Sequence, residues 1–109
     1  MEECTLRKSN AQIWSFGSFA LDEASFELTH SEAPIAIEPQ SLRVLIFLIR
    51  HRDRVVSKDD LVEAIWQGRA ISDWAISGAI KAVRIALGDT DRDYRIIKTI
   101  HGRGFRFVA

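Results

Sequence analysis

The chain has 109 residues, of which 47% are hydrophobic and 28% charged, and fifteen basic side chains balance fifteen acidic ones. This length predicts a single domain, and the composition excludes global disorder in favour of an ordinary hydrophobic core. The charges form a gradient: residues 1–40 carry seven acidic and two basic side chains, whereas residues 80–109 carry three acidic and seven basic ones. Such a gradient suits an anion-binding C-terminal part, although a merely solvated face gives the same pattern.

Further protein classes are excluded by what the sequence lacks. The single cysteine, Cys4, allows no internal disulfide and no multi-cysteine zinc site, and the three histidines have no metal-ligand spacing. The longest apolar run, residues 44–49, is far shorter than the ~20 residues of a membrane helix, and no signal peptide follows Met1. Nucleophile and phosphate-loop motifs are absent. We therefore expect a cytoplasmic, non-enzymatic chain with no metal, cofactor, small-molecule substrate or membrane segment.

The N-terminal third predicts a tail followed by a small sheet. Residues 1–12 are polar and without period, so we expect a flexible tail. Between Ile13 and Ile37, short strand-like segments are separated by turn-like breaks at residues 22–24 and 30–34. We expect an antiparallel sheet of about three strands within residues 13–38.

Three helices are predicted over residues 39–88. Pro39 suits the first position of a helix, and the apolar residues that follow it on most sides predict a helix at the centre of the core. A capping-box-like sequence at residues 57–60 begins a second, short helix. The third helix follows the cap candidate Ser72, carries an apolar seam at steps of four, three and four residues, and is closed by Gly88.

The C-terminal segment, residues 95–109, predicts a β-hairpin. Two strand-like stretches flank His101-Gly102-Arg103-Gly104, where two glycines permit the positive φ of a tight turn. The order of these elements predicts an α+β fold: a winged helix-turn-helix with an N-terminal antiparallel sheet, three helices and a C-terminal β-hairpin wing.

This element order and two sequence segments resemble the OmpR/PhoB-type DNA-binding domain. The segments are residues 54–61 with Ile65-Trp66, and residues 100–107, which contain a Gly-x-Gly-aromatic-Arg-Phe pattern. The resemblance runs from about Phe16 to Ala109. In that family the domain normally follows a receiver; here it begins near Met1, as in CadC/ToxR-type regulators, which continue into a sensor. The resemblance therefore leaves open that the chain is part of a longer parent protein, which could be anchored in a membrane.

The resemblance implies sequence-specific binding of double-stranded DNA by a bacterial transcriptional regulator. A recognition helix at about residues 73–87 would enter the major groove, and a wing at residues 99–105 would touch the backbone or the minor groove. Members of the family typically bind direct repeats in tandem, so the resemblance also implies a dimer on DNA. The loop Gln67-Gly68-Arg69 matches a segment that contacts RNA polymerase in the family, or is a plain connector. The positions carried over as DNA contacts are Trp74, Ala75, Ser77, Gly78, Lys81, Ala82, Arg84, Ile85, Thr99, His101 and Arg103.

The recognition face departs from the family pattern. Basic side chains are frequent there in the family, yet Ala75, Gly78 and Ala82 hold the positions expected to lie deepest in the groove, and none of them can form a bidentate contact with a base. We therefore expect binding that depends on the DNA backbone and on DNA shape, with Lys81 and Arg84 as phosphate or guanine contacts.

The alternative function is a protein-interaction module that keeps the fold but binds DNA weakly or not at all. The small recognition face, the zero net charge and the expected exposure of Trp74 and Ile85 favour it. Trp74 lies off the apolar seam, so it could stack on sugar-phosphate, pack on the preceding loop or contact a protein. Trp14 and Trp66 are interpreted as packing residues.

Overall fold

The elements of the chain are an N-terminal meander of strands, three helices and a C-terminal hairpin. A computed structural model describes residues 7–9, 13–89 and 96–109. The α+β winged-helix prediction is confirmed. The strands are β1 (Arg7–Ser9), β2 (Ile13–Phe16), β3 (Phe19–Asp22), β4 (Glu27–His30), β5 (Ala33–Pro34), β6 (Ile97–Ile100) and β7 (Gly104–Phe107), and the helices are α1 (Pro39–Arg50), α2 (Lys58–Ile65) and α3 (Asp73–Ala86).

The N-terminal sheet is larger than the sequence predicted. It is antiparallel, has five strands in the order β1-β2-β3-β4-β5, and pairs Arg7 with Ser15 at its first edge. The prediction of a tail throughout residues 1–12 is therefore wrong at Arg7–Ser9, while residues 1–6 and 10–12 lie outside the described residues. An edge strand is held by main-chain hydrogen bonds, which do not require alternating apolar side chains. The sequence of β1 therefore contained no pattern that predicts a strand.

A single cluster of buried side chains joins the sheet, the helices and the hairpin. α1 contacts α2, α3 and β7, which confirms the prediction that it lies at the centre of the core. Phe16 of the sheet packs edge-on against Phe107 of the hairpin, with 5.3 Å between ring centroids. Trp14 and Trp66 are buried, as expected of packing residues. None of the helices in the described residues is long and apolar enough to span a membrane.

The second helix begins with the capping box that the sequence predicted. The Ser57 hydroxyl accepts the backbone N–H of Asp60 at 3.0 Å, and the Asp60 carboxylate accepts the backbone N–H of Ser57 at 3.1 Å. Arg54 donates to the same carboxylate at 2.8 Å. This hydrogen bond and the one from the Ser57 backbone hold the pKa of Asp60 below its usual value.

The two glycines of the hairpin have different roles. Both have positive φ, as predicted, but only Gly102, at φ 75°, lies in the turn with open space around it. Gly104 lies against the connector between α1 and α2, where a Cβ would come within 2.0 Å of the Val56 carbonyl oxygen. Val56 and Phe105 exchange two backbone hydrogen bonds, of 2.7 and 2.8 Å, so Gly104 is required by a close approach of two backbones.

Alanine substitutions at Gly102 and Gly104 are expected to lower the free energy of unfolding by different amounts. Gly102→Ala should lower the free energy of unfolding by about 1 kcal/mol, since a side chain at positive φ is the main penalty. Gly104→Ala should cost more than about 2 kcal/mol, because it must also displace the backbone at Val56. Urea unfolding of both variants checks this, and equal losses would contradict the close approach.

Candidate nucleic-acid interface

The third helix buries one side and leaves the opposite side uncovered. Its N-cap is Ser72, whose hydroxyl accepts the backbone N–H of Ala75 at 3.2 Å. The predicted seam is buried, and it consists of Ile76, Ile80, Val83 and Leu87. At 3.6 residues per turn, the side opposite this seam forms one line along the helix, which we call the outer ridge. The outer ridge consists of Trp74, Gly78, Lys81 and Ile85, and all four are exposed.

The remaining predicted positions flank this ridge. Ser77 and Arg84 lie on the flank toward the hairpin, where they line a cleft of 620 Å³ with the start of α2 and residues 99–105. Ala75 and Ala82 lie on the other flank, which borders a groove of 460 Å³ against the first residues of α1. The structure thus brings Ser77 and Arg84 together with the predicted wing around one cleft. The other groove is lined by further predicted positions of α3, namely Trp74, Ala75, Gly78, Lys81 and Ala82.

Arg84 joins α3 to the wing. Its Nη2 donates to the hydroxyl of Thr99 at 2.7 Å and to the carbonyl oxygen of Ile97 at 3.1 Å, and its Nε also donates to that carbonyl at 3.3 Å. The sequence treated Arg84 and Thr99 as two separate DNA contacts and missed that they bind each other. The bond gives Arg84 a second role, because it fixes the position of β6 relative to α3.

A buried carboxylate makes a second connection between the same two elements. Asp89 is only 6% exposed, and it accepts the backbone N–H groups of Ile96 and Ile97 at 3.2 and 2.9 Å. Its own N–H donates to the Arg84 carbonyl at 2.8 Å, just after Gly88, whose φ of 67° closes the helix as predicted. The sequence placed Asp89 in a polar loop. The negative charge of Asp89 was the signal that could have indicated this role. An acidic residue just after a helix C-terminus interacts unfavourably with the helix dipole, so it needs another partner.

The turn of the hairpin presents two polar side chains to solvent. His101 and Arg103 are exposed, and both line the cleft beside Ser77 and Arg84. The Arg103 backbone N–H donates to the Ile100 carbonyl at 2.9 Å, which closes the turn. The wing tip therefore stands next to α3, as the winged-helix prediction requires.

The loop between α2 and α3 is an ordered, exposed turn. Gln67 and Gly68 both have positive φ, and the N–H groups of Gly68 and Arg69 donate to the carbonyls of Val62 and Trp66, each at 3.0 Å. All three loop residues are exposed. The contact of this loop with RNA polymerase stays a prediction.

Comparison with known proteins identifies relatives of this chain. It is 31% identical over 80 residues to the transcriptional regulator HilA of Salmonella typhi, a match that covers 73% of this chain but only 14% of HilA. The structure superposes on the Thermotoga maritima response regulator DrrB, an OmpR/PhoB homologue, with a TM-score of 0.80 and 28% identity over 89% of this chain and 44% of DrrB. It also superposes on the Klebsiella pneumoniae RstA DNA-binding domain, solved in complex with the RstA box, with a TM-score of 0.78 and 23% identity over 88% and 96% of the two chains.

The family model described as "transcriptional regulatory protein, C terminal" matches residues 32–107, which is well over half of the sequence. That segment contains α1, α2, α3 and the hairpin, and therefore every residue of the candidate interface. The chain belongs to the transcriptional regulatory protein, C-terminal family, whose members are DNA-binding domains of the OmpR/PhoB type.

Proposed function

We propose that this domain binds double-stranded DNA as part of a bacterial transcriptional regulator, with α3 in the major groove and the wing on the backbone or the minor groove. The observation that carries the proposal is the exposed outer ridge of α3, whose flank residues Ser77 and Arg84 share a cleft with the wing tip. The solved RstA domain, which shares this fold, is in complex with its DNA box. DNA binding in a bacterium requires that the domain face the cytoplasm.

The charges on this surface suit a polyanion. Lys81 projects from the middle of the outer ridge, and Arg103 projects from the wing tip. Between them, the Thr99 hydroxyl accepts a hydrogen bond from Arg84, which leaves its own proton able to donate to a phosphate oxygen. The exposed imidazole of His101 adds a further hydrogen-bonding group on the wing tip. The zero net charge of the chain is thus compatible with a locally cationic binding surface.

Two finer proposals concern partners other than DNA. The exposed turn at residues 67–69 follows the buried Trp66, so its position is fixed and it could present Gln67 and Arg69 to RNA polymerase. Two copies of the domain on direct repeats would form a dimer on DNA. The rival function, a protein-interaction module, was suggested by the exposure of Trp74 and Ile85, but membership of a DNA-binding family does not favour it.

Removing one interface cation should change the salt dependence of DNA binding. Each phosphate contact contributes about 0.9 to the slope of log affinity against log salt concentration. Lys81→Ala and Arg103→Ala should each reduce the slope by about that amount and weaken binding to a duplex selected from a random library. The matched control is Arg50→Ala, which removes a cation that pairs with Glu23 beside the N-terminal sheet. A protein-interaction module would show a flat salt dependence, and three equal slopes among the variants would contradict the proposed surface.

Changing Arg84 should separate wing positioning from phosphate binding. Arg84→Lys keeps the charge, but its single ammonium cannot reach Thr99 and the Ile97 carbonyl with the geometry of a guanidinium. We expect about a tenfold loss of DNA affinity, since a hydrogen bond from a charged group contributes roughly 1.5 kcal/mol, with the wild-type salt slope retained.

The control for this prediction is a double-mutant cycle with Thr99→Val. Because the two side chains bind each other, Arg84→Lys and Thr99→Val together should weaken binding less than the sum of the single effects. Two outcomes would instead assign Arg84 to a direct phosphate contact. One is strict additivity of the two single effects; the other is a salt-dependence slope that falls by about one in Arg84→Ala but not in Arg84→Lys.

A further inference from the structure

The outer ridge of α3 is apolar at both of its ends. Trp74 is 85% exposed and Ile85 is 59% exposed, which are the highest values among the large hydrophobic residues that the structure describes. They are eleven residues apart, which is three turns of helix, so both project in the same direction about 16 Å from each other along the axis. Large apolar side chains in line on a surface favour contact with an apolar group of a partner.

The middle of the outer ridge consists of a glycine, which has no side chain, and of the polar residue Lys81. A Cβ added at Gly78 would meet no atom within 4 Å, so the helix has an open notch one turn after Trp74. The hydrogen-bonding groups of the ridge are the Lys81 ammonium and the Trp74 indole N–H, and both are donors without an acceptor. The ridge therefore has little capacity to distinguish bases by hydrogen bonds, while its notch lets the helix backbone approach a partner closely.

The major groove offers one apolar group that identifies a base. Every base pair presents hydrogen-bond donors or acceptors there, but only thymine adds a methyl group at C5. We infer that the outer ridge recognises thymine methyl groups in the major groove, with Trp74 and Ile85 as specificity-determining residues. This inference rests on the proposed DNA binding and names the feature of DNA that provides its specificity.

The cations around the ridge favour DNA over a protein as the occupant of this surface. Lys81 lies between the two apolar residues, and Arg103 stands on the neighbouring wing tip. An apolar protein partner would have to desolvate Lys81 in the centre of the contact, which is costly without an acidic partner. In a DNA groove, the same ammonium has phosphate oxygens and base acceptors within reach.

The test compares thymine with uracil, which lacks only the C5 methyl group. Duplexes selected by the wild-type chain from a random library are recopied with either dTTP or dUTP, so that both pools share one set of sequences. Burial of one methyl group is equivalent to about a fourfold change in affinity, so two contacts predict that the thymine pool binds more than about tenfold tighter.

Three variants assign the preference to the ridge. Trp74→Ala should bring the ratio of the two affinities down to about fourfold or less, mainly through weaker binding of the thymine pool, whereas Trp74→Leu should retain most of the preference. Both should keep the wild-type melting temperature, since the indole is almost fully exposed. Val108→Ala, which trims an exposed apolar residue outside α3, should leave the ratio unchanged.

The outcomes separate this inference from the proposed function. If wild-type protein binds both pools equally well, the domain binds DNA but does not recognise thymine methyl groups. A loss of affinity for both pools in Trp74→Ala, with an unchanged ratio, would place the indole on sugar-phosphate and overturn the inference. If neither pool binds above a scrambled competitor, both the inference and the proposed function fail.

Discussion

Hydrogen bonds between the end of α3 and strand β6 determine where the wing stands. The buried Asp89 carboxylate accepts the N–H groups at Ile96 and Ile97, and Arg84 donates to the Ile97 carbonyl and to Thr99. Arg84 thus binds the start of the wing from the last turn of α3, and Asp89 binds it from three residues beyond the end of that helix. A buried carboxylate is stable only when its oxygens have partners, so displacement of β6 would leave Asp89 unsatisfied.

The second strand of the wing, β7, is held by the connector between α1 and α2. β7 pairs at Phe105 with Val56 of the α1–α2 connector, and Gly104 allows the two backbones to meet. An isolated two-stranded hairpin is marginally stable in water, so these attachments give the wing a defined position. A surface that is already ordered before binding loses less conformational entropy on contact with a partner. The stability of the hairpin and the affinity of the interface therefore depend on the same bonds.

Sequence reasoning succeeded where the signal is local. The seam of α3 repeats within one helix, the capping box at Ser57 spans four residues, and the hairpin turn is marked by adjacent glycines. These features predicted the helices, the wing and the face of α3 that is exposed. The structure confirms the expected exposure of Trp74 and excludes its packing on the preceding loop, one of the roles that the sequence left open.

Features that depend on distant parts of the chain escaped prediction. Strand β1 has no apolar period and is held by pairing with β2, while the two-residue strand β5 is too short to leave a pattern. The roles of Arg84, Asp89 and Gly104 were missed or incomplete because each partner lies in another element. Arg84 was predicted as a DNA contact, whereas its bond to Thr99 becomes visible only when the wing is folded against the helix.

The proposed function requires that α3 and the wing contact DNA together, as one surface. The most direct measurement is an amide NMR titration of the chain with a duplex that it has selected, in which every backbone N–H reports separately. We expect the perturbed signals to cluster at the exposed positions of residues 74–85 and at residues 99–103, while those of β2, β3 and β4 stay unchanged. Perturbations concentrated in the N-terminal sheet, with α3 and the wing tip unaffected, would contradict DNA binding by α3 and the wing.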